Sequence, residues 1–114
     1  MKQQQPIFRG VATALITPLT PQGVDYPAFA RLIDWQIQQG VQALVIAGTT
    51  GEGSTLTDEE HRECIRFAVE QAAGRVPIIA GTGSNDTAYA ISLTQFACQT
   101  GADAMLVVTP YYNK

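Results

Sequence analysis

The fold is decided by one stretch of the chain, ALVIAGTTGEGSTLTDEEHRECIRFAVEQAAGRVPIIAG (residues 43–81). It opens with an apolar run that ends at Gly48, continues through a polar and an amphipathic segment, and closes with a second apolar run that ends at Gly81. Continuous apolar runs of this length are typical of strands buried on both faces, as in a parallel sheet. The stretch therefore predicts a strand–helix–strand unit with a right-handed connection.

The same alternation extends outward on both sides of this stretch. An apolar run at residues 11–16 precedes it and another at residues 104–108 follows it, and a Thr-Pro pair closes each of these two runs. Together with residues 43–47 and 76–80 they predict four strands. The amphipathic segments between them predict three helices, so the element order is β-α-β-α-β-α-β.

Each predicted helix has a polar residue that can cap its start, a glycine that can end it, and one apolar side. The caps are Asp25, Thr57 in a Thr-x-x-Glu capping box, and Asp86, and the glycines are Gly40, Gly74 and Gly101. The apolar sides are Phe29, Leu32, Ile33 and Ile37 on the first helix, Cys64, Ile65, Ala68 and Ala72 on the second, and Ile91, Phe96, Ala97 and Cys98 on the third. Both cysteines are predicted to be buried and reduced, rather than part of a disulfide or a metal site.

Two architectures use this order of elements, the open doubly wound sheet and the closed (β/α)8 TIM barrel. The first strand is not followed by the Gly-x-Gly-x-x-Gly turn of a dinucleotide-binding sheet, which argues against a dinucleotide-binding fold. A complete barrel has about 250 residues, whereas this chain has 114. We therefore predict an α/β fold with four parallel strands and three helices, which is about half of what a complete barrel needs.

The composition argues against several classes of function. The chain is 46% hydrophobic and 15% charged, which is typical of a globular protein. Its net charge of -3 argues against a nucleic-acid partner held through phosphates. No apolar run approaches the roughly 20 residues of a membrane span, and the polar N-terminus does not resemble a secretory signal, so a cytoplasmic protein without a membrane partner is predicted. His61 is the only histidine, and the sequence implies no metal and no cofactor.

The loops that follow the strands are the candidates for chemistry, because ligands bind at the carboxyl ends of the strands in both architectures. Residues 48–55 resemble a phosphate-binding loop, but Ser54 stands where that loop has its lysine. The backbone N–H groups of this loop and the hydroxyls of Thr49 and Thr50 instead suit a small carboxylate. The alternative is that its glycines only form the turn. Tyr111 and Tyr112 follow the fourth run, where a tyrosine can transfer a proton or pack between subunits.

Three segments carry a resemblance to a known family. They are Gly48-Thr49-Thr50-Gly51-Glu52, Ala80-Gly81-Thr82-Gly83-Ser84-Asn85 and Val108-Thr109-Pro110-Tyr111-Tyr112-Asn113. In this order they resemble the dihydrodipicolinate synthase (4-hydroxy-tetrahydrodipicolinate synthase) family of pyruvate-dependent Schiff-base aldolases. The resemblance implies that residues 1–114 form a single partial segment of a (β/α)8 TIM barrel, its N-terminal half, truncated after the fourth strand. It also implies a lyase of lysine and diaminopimelate biosynthesis that condenses pyruvate with aspartate 4-semialdehyde. N-acetylneuraminate lyases and 2-keto-3-deoxy sugar acid aldolases share the first of these segments and are the alternative.

The resemblance also implies roles for individual residues. Thr50 would bind the pyruvate carboxylate, and Thr49 and Tyr112 would belong to a proton relay that is completed by a tyrosine from a later strand. Tyr112 would reach across a tight dimer interface into the neighbouring site, and Tyr111 would pack at that interface. The protein is thus expected to be a homo-oligomer built from dimers.

An allosteric lysine site or interface is implied at a second group of residues. Its members that match the family pattern are Ser54, His61, Asn85 and Tyr111. Two further positions depart from the pattern of the lysine-sensitive members, since Asp58 replaces a histidine and Tyr89 replaces a glutamate that would pair with the ligand ammonium group. The loss of that carboxylate argues against feedback by lysine, and this set of residues alone leaves the question open.

The Schiff-base lysine is not among the residues that match the family. The two lysines of the chain, Lys2 and Lys114, stand at its two ends and outside the four predicted strands. A Schiff-base lysine needs surroundings that lower its pKa. The nucleophile is therefore expected elsewhere in a complete barrel, together with the second relay tyrosine and an arginine for the second substrate. The 114 residues alone are expected to be inactive.

Overall fold

The computed structural model describes residues 9–48, 56–84 and 86–107. Its elements are, in chain order, β1 (Ala12–Ala14), β2 (Leu19–Thr20), β3 (Gly23–Val24), α1 (Tyr26–Gln38), β4 (Ala43–Ile46), α2 (Asp58–Ala72), β5 (Ile78–Gly81), α3 (Thr87–Thr100) and β6 (Ala104–Leu106). Each predicted strand and helix is present, and the strands are shorter than the apolar runs that predicted them.

Four of the strands form one parallel sheet in the order β1-β4-β5-β6. Strands that are consecutive along the sheet and joined through helices require crossover connections, and right-handed crossovers place all three helices on one face. This arrangement confirms the predicted class, four parallel strands and three helices of a TIM barrel.

The core lies between that face of the sheet and the helices. One cluster joins strand residues Leu44, Ile46 and Ile78 to side chains of α1 and α2, including the buried Phe29 and Ile33. A second, smaller cluster joins β5 to α2 and α3, and consists of Ile65, Ala80, Leu93 and Ala97. Because side chains alternate along a strand, residues 44, 46, 78 and 80 all point towards the helices.

The opposite face of the sheet carries no helix within residues 9–48, 56–84 and 86–107. Leu106, which alternates with the helix-facing Met105, is 46% exposed. In a closed barrel this face is filled by layers of side chains from all the strands. The four strands described here therefore present one covered face and one open face.

The predicted helix starts are confirmed. Asp25 accepts a hydrogen bond from the Ala28 amide at 3.0 Å, and Asp86 accepts one from the Tyr89 amide at 3.2 Å. At α2 both halves of the capping box are present, because the Thr57 hydroxyl accepts from the Glu60 amide and the Glu60 carboxylate accepts from the Thr57 amide. These side chains satisfy amide groups that no helical carbonyl can reach.

The predicted helix ends need one correction. Gly101 caps α3 with φ 108°, and Gly40, with φ 91°, follows the cap residue of α1 directly. At α2 the left-handed cap is Ala73, with φ 49°, and not Gly74, which follows with φ 78°. The chain therefore leaves this helix through two consecutive left-handed residues, the first of which is not a glycine.

The structure corrects the prediction in two other places. The polar turn expected after the first strand contains a short antiparallel pair, β2 with β3. On α3, Ile91 is 54% exposed and Cys98 is exposed, whereas Leu93 and Ala97 are buried. Small and apolar residues occur on every side of this helix, so the pattern alone does not define its buried side. The pair Leu93 and Ala97, four residues apart, faces the sheet.

Candidate active site at the carboxyl ends of the strands

The carboxyl ends of β1, β4 and β5 meet at one edge of the sheet, where the sequence predicted a substrate site. The described residues that follow these strand ends include Thr17, Gly48 and Thr82, and both threonines are buried. Most of the predicted site residues lie outside the described residues, namely Thr49, Thr50, Ser54, Asn85, Tyr111 and Tyr112. The structure therefore describes the strand ends from which the predicted loops begin.

At the end of β4, Ala47 has an unusual backbone conformation. It directly follows β4, is 3% exposed and has φ 58°, in the left-handed region. For a residue with a Cβ atom this conformation costs roughly 1–2 kcal/mol. It turns the chain out of the sheet at the residue before Gly48, and hence directly before the segment that carries Thr49 and Thr50.

Gly81 lies against this turn without room for a side chain. A Cβ atom on Gly81 would stand 2.6 Å from the Ala47 carbonyl oxygen, 2.7 Å from the Gly48 Cα and 2.8 Å from the Gly48 nitrogen. All three are backbone atoms, which cannot move aside by a side-chain rotation. The ends of β4 and β5 are therefore in close backbone contact, and a glycine is required for it.

His61 of α2 is buried beneath the same strand end. It is 5% exposed, and its Nε2 lies 2.7 Å from the carbonyl oxygen of Gly81. A carbonyl oxygen only accepts hydrogen bonds, so Nε2 carries the proton and donates it. The sequence predicted His61 for an allosteric site or an interface. The structure places it in contact with the backbone beside the predicted pyruvate-binding loop.

Sequence reasoning missed a hydroxyl pair next to this site. Thr82 is fully buried, and the Thr94 hydroxyl of α3 lies 2.9 Å from the Thr82 hydroxyl. The Thr82 amide donates to the Leu106 carbonyl at 3.2 Å, so the residue is also bound to the end of β6. A signal for this residue was available in the sequence. Thr82 follows Gly81 directly after a predicted strand, just as Thr49 follows Gly48.

Asp58 and Tyr89, the two departures from the lysine-sensitive pattern, lie close enough to shift each other's pKa. Arg62 donates to Asp58 at 2.8 Å, and this hydrogen bond, followed by one from Tyr89, lowers the pKa of the Asp58 carboxyl. Burial, and then the bond to Asp58, raises the pKa of Tyr89 to about 12. Arg62 also donates to Ser92 at 3.0 Å and lies 5.1 Å from the ring centre of Phe96. This cluster joins α2 to α3.

The two cysteines differ in their surroundings. Cys64 is buried, as predicted, and burial raises its pKa to about 11. Cys98 is exposed, which corrects the prediction that both are core residues.

No three side chains of the metal-binding types come together in the described part of the chain. Among its helices none is long and apolar enough to cross a membrane.

Comparison with known proteins decides the family. The sequence pattern of the "Dihydrodipicolinate synthetase family" matches residues 7–114. The chain belongs to the dihydrodipicolinate synthetase family. A curated member, the 4-hydroxy-tetrahydrodipicolinate synthase of Rhodospirillum centenum, is 58% identical over 108 residues, which are 95% of this chain and 37% of that protein.

Two crystal structures of dihydrodipicolinate synthases have the same fold over this region. The enzyme from Aquifex aeolicus superposes with a TM-score of 0.90 at 52% identity, over 94% of this chain and 36% of that one. The chloride-inhibited enzyme from Acinetobacter baumannii, complexed with pyruvate, superposes with a TM-score of 0.88 at 50% identity, over 92% of this chain and 36% of that one. This chain thus spans little more than a third of the length of these family members.

Proposed function

We propose that this chain forms the pyruvate-binding part of a 4-hydroxy-tetrahydrodipicolinate synthase, a lyase that condenses pyruvate with aspartate 4-semialdehyde. The observation that carries the proposal is the 58% identity to a relative of that name over nearly the whole chain. The lysine and diaminopimelate pathway and a cytoplasmic location follow from the same proposal.

The geometry at the end of β4 supports this assignment. The left-handed Ala47 and its contact with Gly81 place the start of the loop in a fixed position. In our proposal Thr50 binds the pyruvate carboxylate through its hydroxyl and amide, and Thr49 passes protons to and from Tyr112. A small carboxylate is suited to such donors, since two or three hydrogen bonds to N–H and O–H groups can replace its hydration.

The proposed reaction needs a lysine in another part of the barrel. Its amine would attack the pyruvate ketone, lose water to form the imine, and give the enamine whose carbon adds to the aldehyde. Lys2 and Lys114 are the only lysines of the sequence and stand at its ends. We therefore assign no nucleophile within the 114 residues and expect the isolated chain to be inactive.

The proposal is tested on the full-length gene product that contains this sequence. Pyruvate is supplied with aspartate 4-semialdehyde, N-acetylmannosamine or a sugar-derived aldehyde, and the product is identified by mass spectrometry. Borohydride reduction in the presence of labelled pyruvate should fix the label on a lysine. Turnover of a sugar aldehyde but not of the semialdehyde would instead assign a sialate lyase or a sugar acid aldolase. Label retained by the 114-residue chain alone would refute the absence of a nucleophile.

The assembly and regulation of the protein are part of the same proposal. We propose a homo-oligomer built from dimers, with Tyr111 at the interface and Tyr112 crossing it. Feedback by lysine is not expected, because Tyr89 offers a hydroxyl where a free carboxylate would be needed for the ligand ammonium group. Titration of the active gene product with lysine checks this, and strong inhibition would contradict it.

A further inference from the structure

Gly81 lies at the end of β5, where the sheet pairing is incomplete. It pairs with Leu106 of β6, but the last paired residues of β4 and β5 are Ile46 and Ala80, so Gly81 lies one residue beyond the pairing with β4. It is buried, and a buried backbone carbonyl without a partner costs about 1–3 kcal/mol. His61 supplies a donor from a different element, the second turn of the helix that follows the loop.

The position of Gly81 in turn limits where the backbone of Ala47 and Gly48 can lie. Its Cα side is in contact with the backbone of Ala47 and Gly48, closely enough to exclude a Cβ atom. Ala47 holds a left-handed conformation that its own side chain disfavours, so surrounding contacts must maintain it. The hydrogen bond from His61 thus acts on Gly81, and Gly81 acts on the residues that lead into Thr49.

We propose that His61 is a positioning residue for the backbone of Ala47 and Gly48, where the predicted substrate-binding loop begins, and that it acts through the Gly81 carbonyl. One consequence of this role rests on the proposed function. It is that His61 affects the binding of pyruvate more than that of the aldehyde. A displacement of about 1 Å at a binding group can change rates by about a hundredfold. The imidazole itself does not touch the substrate in this proposal.

The test compares variants of His61 in the full-length gene product. His61→Phe fills a similar space without a donor, whereas the amide of His61→Gln can still donate to the carbonyl. We expect the KM for pyruvate to rise at least about tenfold in the phenylalanine variant, with a smaller change in the KM for the aldehyde, and to recover in the glutamine variant to within about threefold of the starting protein. Ala68→Gly, a buried change on the same helix away from Gly81, is the control for lost stability.

A second readout separates this proposal from the proposed function. The three-bond coupling between the amide and α protons of Ala47 reports its φ angle by NMR and should change in His61→Phe but not in Ala68→Gly. If that coupling changes in a protein that does not use pyruvate, the positioning role stands and the proposed function fails. If the coupling and the KM for pyruvate are both unchanged, or if Ala68→Gly raises that KM equally, the positioning role is refuted. His61→Asn, whose amide is too short to reach Gly81, replaces the phenylalanine variant if that one does not fold.

Discussion

Gly81→Ala is the change that most directly tests the contact between the two strand ends. The new Cβ atom would meet the Ala47 carbonyl oxygen at 2.6 Å and two backbone atoms of Gly48 at 2.7 and 2.8 Å. Since ordinary contacts between such atoms begin near about 3.5 Å, the strand ends would have to separate by about 0.9 Å. Neither side can yield by rotating a side chain.

The expected loss of stability follows from this geometry. Overpacking of a buried site costs about 1–3 kcal/mol, and a collision with backbone on the opposite strand belongs at the upper end of that range. We therefore expect the free energy of unfolding to fall by about 3 kcal/mol. For a urea m-value of about 2 kcal/mol/M the unfolding midpoint would move down by about 1.5 M.

The neighbouring glycine provides the matched control. A Cβ atom on Gly48 would lie 3.4 Å from Val45 Cγ1 and 3.9 Å from Leu106 Cδ2, which are ordinary contacts with side chains. Gly48→Ala should therefore change the free energy of unfolding by less than about 1 kcal/mol. Equal midpoints for Gly81→Ala and the starting protein, or equal losses in the two variants, would refute the backbone contact inferred here.

Three further predictions concern titration, thiol reactivity and capping. A thiol reagent at pH 8 should label Cys98 rapidly and Cys64 only after urea is added, since Cys64 is buried with a pKa of about 11; labelling of both in the native protein would contradict this. Burial raises the pKa of both Tyr26 and Tyr89 to about 12, above the value near 10 of the unfolded chain. Their contribution to stability should be complete below pH 10 and lost as the pH rises towards 12, and a constant urea midpoint across that range would count against it. Thr57→Ala should reduce the free energy of unfolding by about 1 kcal/mol, and Thr57→Ser, which keeps the hydroxyl, should retain most of it.

The elements and their starts were predictable because their signals are local. The apolar runs of β4 and β5 and the capping box at Thr57 lie within a few residues of the structure that they specify. The helix end at Ala73 was predicted one residue late, at Gly74, because glycine is the usual left-handed residue, whereas here the alanine before it already has that conformation. The buried side of α3 was partly wrong because its apolar residues do not favour one side.

The contacts at the strand ends were not predictable because they join distant segments. The bond from His61 to Gly81 spans 20 residues, and the contact of Gly81 with Ala47 joins two strands separated by a whole helix. A histidine at a helix position has the same sequence signal whether it faces a ligand, a subunit or a backbone carbonyl. The contact depends on how α2 packs against the end of β5, which no local sequence signal specifies.

These contacts also explain how a strained residue is maintained at the site. The left-handed Ala47 costs roughly 1–2 kcal/mol, and an unpaired carbonyl at Gly81 would cost about 1–3 kcal/mol. Without the imidazole, Gly81 could move towards water to satisfy its carbonyl, and this movement would loosen the backbone contact with Ala47. In our proposal the hydrogen bond from His61 therefore helps to hold the end of β4 in the conformation that leads into Gly48.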